Sequence, residues 1–103
     1  MINFLLISMG LSFTQIAADE IKVAVASNFY PAMKEIVSQY ELKQSQSFEN
    51  HNIVLISGSS GKHYAQILNG APFDIFFSAD KIRPTLLEKK GISETGSRFT
   101  YAL

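Results

Sequence analysis

The chain has no cysteine. A disulfide framework, a thiolate metal site and a cysteine nucleophile are therefore all excluded. It also has no excess of charge: nine basic residues face nine acidic ones, for a formal net charge of zero. That removes the broad basic field that draws nucleic acid, so no nucleic-acid partner is expected. No apolar run reaches the roughly 20 residues that a membrane-spanning helix requires. Glycine-rich phosphate motifs are missing too. The stretch ISGSSGKH (56–63) fails the phosphate-loop pattern twice, because Ile56 stands where its first glycine belongs and His63 follows Lys62. The first strand runs into ASNF rather than a G-x-G-x-x-G turn.

What is present suits one small folded domain. The 103 residues are 47% hydrophobic and 17% charged, well on the globular side of the boundary with disorder. Residues 1–18, MINFLLISMGLSFTQIAA, are mostly apolar from Ile2 to Phe13 and end in Ala17 and Ala18. They read as an export signal cleaved after Ala18, although no Lys or Arg precedes the apolar run. The mature chain then begins at Asp19.

From there strands and helices alternate. IKVAVA (21–26), NIVLIS (52–57) and FDIFFS (73–78) are apolar runs bounded by polar residues, as strands are. Met33, Ile36, Val37 and Tyr40 mark one face of a helix, with Pro31 in its first turn. KQSQSFENHN (43–52) reads as a loop. Tyr64, Ile67 and Leu68 mark a second helix that ends at Gly70. Asp80 can cap a third, carrying Leu86 and Leu87 and ending at Gly91. This order predicts an α/β fold with a parallel sheet and helices on both faces.

Two of the strand-to-helix junctions share a chemistry: SNF (27–29) and SGSSG (57–61). In an open parallel sheet ligands bind beyond the carboxyl ends of the strands. The first turn of a following helix leaves backbone N–H groups free, and the helix dipole adds positive potential. An anion can be held there without any formal charge on the protein. Ser27, Asn28, Ser59 and Ser60 can add side-chain donors, and Gly58 and Gly61 permit tight turns and close approach. The same residues are also the preferred helix caps, so the residue pattern alone leaves cap and anion cradle both open. His51 and His63 lie without a metal-ligand spacing and read as lone surface histidines. Ser60, His63 and Asp80 could form a catalytic triad only on paper, since no G-x-S-x-G elbow exists.

The blocks IKVAVASNFYPAMKEIVSQYE, ISGSSGKHYAQILNGAPFDIFFSAD and FTYAL together resemble the periplasmic molybdate-binding proteins of bacterial ABC importers. The likeness runs over nearly all of residues 20–103, and the serine pair, the G-A-P-x-D turn and the closing S-A-D are its most specific part. It implies a type II-like periplasmic binding protein of two α/β lobes that hold molybdate or tungstate between them through neutral donors. It implies oxyanion binding by Ser27, Asn28 and Ser60, with Ser59 beside them, and no metal contact other than to the oxyanion itself. It further implies a periplasmic monomer that is not an enzyme, uses no cofactor, and passes its ligand to an ABC permease in the inner membrane.

Family members are more than twice as long. Residues 19–103 are therefore expected to be an incomplete first lobe, the second lobe being absent and the chain truncated at the exit from the first. The second lobe's ligand tyrosine has no counterpart here, and Tyr101, in the exit strand, is not taken for it. Other readings are a site for sulfate, phosphate or an organic anion, a small serine-loop hydrolase or transferase, or a gene remnant that does not fold alone.

Overall fold

The computed structural model describes residues 20–44 and 51–101. The expected leader, most of the polar loop at 43–52 and the last two residues lie outside them. Among the described residues six elements follow one another: β1 (Glu20–Ala26), α1 (Tyr30–Gln44), β2 (Asn52–Gly58), α2 (Ser60–Leu68), β3 (Ile75–Phe77) and α3 (Ile82–Lys89). The strands form one parallel sheet in the order β2-β1-β3. The α/β class and the parallel sheet expected from the sequence are what the chain forms.

β1 is central because both its faces are apolar. Val23, Ala24, Val25 and Ala26 are all buried. On one face Val23 and Val25 pack with Met33 of α1, surrounded by Phe29, Tyr30, Val37, Leu55 and Phe77. On the other, α2 lies over β1 and touches α3. Burying a side chain such as Val25 or Met33 contributes about 1.5–3 kcal/mol.

The helix seams differ from the expected stripes. In α1, Met33 and Val37 face the core while Ile36 is 53% exposed and Tyr40 41%. Against three strands the contact is one row wide, and Ile36 and Tyr40 lie beside it. In α2 the buried row is Ser60 and His63, whereas Leu68 is largely exposed. Of the expected row, Tyr64 and Ile67 are half-buried and Leu68 is exposed, so none of the three is at the centre of the seam. In α3 Leu87 is buried and Leu86 half exposed.

Element ends follow side-chain chemistry. α1 runs to Gln44, two residues into the expected loop, and the Gln44 side chain clamps the backbone of His51 through two hydrogen bonds, 2.8 Å and 3.1 Å. β3 is shorter than the apolar run 73–78. The Asp74 carboxylate accepts from the Lys22 amide and the Asp74 amide donates to the Lys22 carbonyl, both at 2.8 Å. A side chain thus takes the place of a ladder bond before the strand begins. Gly70 and Gly91 end α2 and α3 in the left-handed region, φ 91° and 74°. Each is followed by the paired backbone bonds of a Schellman motif: Gly70 to Ile67 with Ala71 to Gln66, and Gly91 to Glu88 with Ile92 to Leu87.

Candidate functional site at the strand carboxyl ends

The register of β1 against β2 sets Ala26 beside Gly58, the last residue of each strand. The Ser27 amide then donates to the Gly58 carbonyl at 2.9 Å. The two serine-bearing junctions are therefore neighbours at one edge of the sheet. With the order β2-β1-β3 the connection direction reverses at β1, so the switch point where open α/β sheets bind ligands lies between β1 and β3.

Ser27 and Asn28 occupy an exposed turn between β1 and α1. The turn is closed by the Phe29 amide on the Ala26 carbonyl, 2.9 Å, and the Tyr30 amide on the Ser27 carbonyl, 3.3 Å. Ser59 is the N-cap of α2, and its Oγ accepts from the Lys62 amide at 3.1 Å. Ser60, in the first turn, is 8% exposed, and its Oγ accepts from the Ala79 amide at 2.8 Å. Cap and cradle are therefore not exclusive. Each serine oxygen accepts one backbone N–H, and a hydroxyl keeps a proton to donate. The Ala79 bond also brings the loop after β3 to the same place, so three strand ends converge there.

That third loop is built around Asp80. The N-cap of α3 is Lys81 and not Asp80 as expected, but from one residue earlier the Asp80 Oδ1 still accepts from the first-turn Arg83 amide at 2.9 Å, and its other oxygen pairs with the Arg83 guanidinium. Partial burial pushes the Asp80 carboxyl up. The Arg83 amide, side-chain bond and charge, with Ser78, outweigh that and hold it below the ordinary aspartate value. The Tyr101 hydroxyl donates to the Ser78 carbonyl at 2.8 Å, and its ring packs on Phe29 and Phe77. Residues 97–101 form no strand, so the expected exit strand is here an irregular segment anchored by this tyrosine.

Two residues were not legible as part of this region. His63 is not a surface histidine: it is 1% exposed, its Nε2 lies 3.2 Å from the Val25 carbonyl, and its Nδ1 has no hydrogen-bond partner among the described residues. A Cβ on Gly58 would stand 2.9 Å from its ring. Arg83 lies over Gly61, where a Cβ would meet the guanidinium at 3.3 Å. The close approach expected at Gly58 and Gly61 is thus real. The partners are these two side chains, and neither glycine has a positive φ. Ser60, His63 and Asp80 form no triad, because each is engaged elsewhere: with Ala79, Val25 and Arg83 respectively.

Among the described residues no group of three His, Cys, Asp or Glu side chains comes together as a metal site. None of the described helices is long and apolar enough to cross a membrane. A shallow cavity of about 560 Å³, lined by Lys62, Gln66, Asn69 and Phe73 among others, runs along the flank of α2. None of Ser27, Asn28, Ser59 and Ser60 lines it. The convergence of donors, rather than this hollow, marks the candidate site.

A parallel α/β sheet with polar donors gathered at its strand ends is the architecture of a solute-binding lobe. Residues 21–103 match the family described as bacterial extracellular solute-binding protein, and the chain belongs to that family. Among its relatives, it is 43% identical over 101 residues to the molybdate-binding protein ModA of Azotobacter vinelandii, spanning 96% of this chain and 38% of that protein. It is 41% identical over 95 residues to the molybdate-binding protein ModA of Rhodobacter capsulatus, spanning 92% of this chain and 35% of that one. The solved periplasmic molybdate-binding protein of Azotobacter vinelandii superposes with a TM-score of 0.73 at 44% identity, covering 80% of this chain and 33% of that structure. The chain spans a little over a third of the length of the curated relatives it matches.

Proposed function

We propose that this chain carries the first-lobe oxyanion cradle of an extracytoplasmic solute-binding protein for molybdate or tungstate. In this reading it works in the periplasm as a monomer, neither catalyses a reaction nor carries a cofactor, and delivers its ligand to an ABC permease in the inner membrane. The observation that carries it is the Ser27 amide on the Gly58 carbonyl, which makes one donor surface of two junctions. The relatives' names supply the identity of the anion.

The chemistry follows from the donor set. Ser27 and Asn28 present side-chain donors from one loop, and Ser60, with Ser59 beside it, from the other. The free N–H groups at the start of α2 add the helix dipole. A tetrahedral dianion offers acceptors only, so an all-donor surface suits it and leaves a protonated anion's hydrogen unmatched. Release is easy because no buried ion pair has to be broken. Arg83, over Gly61, is neutralised by Asp80 and so adds little net charge.

The test is calorimetric titration of the chain with molybdate, tungstate and sulfate, repeated on an Asn28→Ala, Ser60→Ala double variant. Saturable molybdate binding that disappears in the variant is expected. A folded protein that takes up no molybdate would refute the assignment. Sulfate binding as tight as molybdate would move it to another oxyanion.

A further inference from the structure

We propose that His63 is a positioning residue for the oxyanion cradle, resting on the function proposed above: its buried imidazole ties the start of α2 to the ends of β1 and β2 and so sets the spacing between Ser59–Ser60 and Ser27–Asn28. The ring touches all three elements. It belongs to α2, one turn beyond Ser60, and its own amide donates to the Ser59 carbonyl at 3.0 Å. Its Nε2 reaches the Val25 carbonyl of β1 at 3.2 Å. It fills the space over Gly58 of β2 that any Cβ would invade. Phe73 and Phe76 pack on it in T-shaped arrangements, with ring centroids 5.6 Å and 6.1 Å away.

The choice of an imidazole is what points to positioning rather than filling. A carbonyl can only accept, so Nε2 carries the proton and donates to Val25. In the neutral ring Nδ1 is then a bare acceptor, buried and without a partner among the described residues. Buried polar atoms are normally paired, and an aliphatic side chain of similar volume would fill the same space without that penalty. What an aliphatic side chain lacks is the directional bond to β1. That bond acts one residue before Ala26, whose neighbour Ser27 closes onto Gly58. A helix tethered in this way cannot slide along the sheet without breaking the Val25 bond or colliding with Gly58.

The experiment compares His63→Leu, which keeps volume and loses the donor, with His63→Gln, whose amide can donate from a similar reach. Amide exchange at Ser27 is followed by NMR in the absence of ligand, and molybdate and tungstate affinities are measured in parallel. In His63→Leu, Ser27 exchange should rise about tenfold and affinity fall about tenfold, while His63→Gln stays within about threefold of the parent in both. Unchanged Ser27 exchange in a folded His63→Leu would overturn the inference, and so would equal damage in both variants. The exchange arm needs no ligand, so failure of the parent to bind molybdate would sink the functional proposal alone. Should His63→Leu not fold, the parent's imidazole decides. A nitrogen spectrum with a protected Nε2–H and an unprotonated Nδ1 supports the tether, and the opposite tautomer refutes it.

Discussion

The amide of Ala79 donates to Oγ of Ser60 at 2.8 Å, so the loop after β3 and the first turn of α2 share one hydroxyl. The bond crosses from one strand end to another and joins residues 19 apart in sequence. Ser60 is therefore a structural acceptor as well as a proposed ligand donor. Ser59, its neighbour, is committed to the helix itself.

These two serines should separate on substitution. Ser60→Ala leaves a partly buried N–H without a partner and is expected to cost about 1–3 kcal/mol. Ser59→Ala removes an N-cap and should cost about 1 kcal/mol. Denaturant titration of each variant measures both. The proposed oxyanion affinity should fall far more in Ser60→Ala than in Ser59→Ala. Equal stability losses with equal binding losses would show that the two hydroxyls are not divided in this way.

The two glycines of the junction should also part company. A methyl group on Gly58 stands 2.9 Å from Cε1 and 3.0 Å from Nε2 of His63, a buried ring held by the Val25 carbonyl and packed on Phe73 and Phe76. Gly58→Ala is expected to cost about 1–3 kcal/mol through overpacking. On Gly61 the methyl meets only the tip of Arg83, whose side chain is 41% exposed and can swing away. Gly61→Ala should be neutral, or stabilising by up to about 1 kcal/mol from helix propensity. In a His63→Ala background the Gly58→Ala penalty should nearly vanish, since contacting residues couple. A penalty that persists there would mean the clash is not with His63.

How far the site could be read from the sequence depends on the range of the interaction. The strands were legible because IKVAVA and NIVLI are continuous apolar runs, and the junctions because Ser, Asn and Gly cluster after them. Asp80 was legible as a partner of the α3 start, though one residue before its N-cap Lys81, because the amide it accepts from is three residues on. His63 was not, because a polar ring on an amphipathic helix is assigned to the wet face, and the Val25 carbonyl that satisfies it is 38 residues away. The α2 seam was misplaced for the same reason: apolar spacing selects Tyr64, Ile67 and Leu68, while packing selects Ser60 and His63. Arg83 over Gly61 is a tertiary contact that no local pattern encodes.

Acid should act on the third loop through Asp80. Its carboxyl is held below the ordinary value of 3.8, so it favours the folded state above that value and loses the contribution as pH falls through the lowered one. Glu88 shifts the same way, through the Gly96 amide and the charge of Arg98. The stability difference between the parent and Asp80→Asn should therefore be constant above about pH 5 and shrink towards about pH 2. Thermal melts across that range measure it. A difference that does not change with pH would mean that the charge on Asp80 is immaterial to the fold.

Tyr101 gives the opposite sign at the alkaline end. Burial pushes its phenol above the ordinary value of 10.0, so its neutral form is favoured in the fold. Its contribution is complete below 10.0 and is lost as pH rises through the higher folded value. Tyr101→Phe keeps the ring against Phe29 and Phe77, at 4.7 Å and 5.1 Å, and deletes only the bond to the Ser78 carbonyl. It should cost about 1 kcal/mol at neutral pH. It should also remove a late-ionising phenol from the ultraviolet absorbance titration. Because Phe29 follows Asn28 directly, the ring buttresses the first junction, while the hydroxyl is already committed to Ser78. The proposed molybdate affinity of Tyr101→Phe should accordingly match the parent's within about threefold, and Tyr101→Ala, which removes the buttress, should weaken it. A Tyr101→Phe variant of normal stability but lost affinity would instead make the hydroxyl a ligand donor, contrary to its place in this fold.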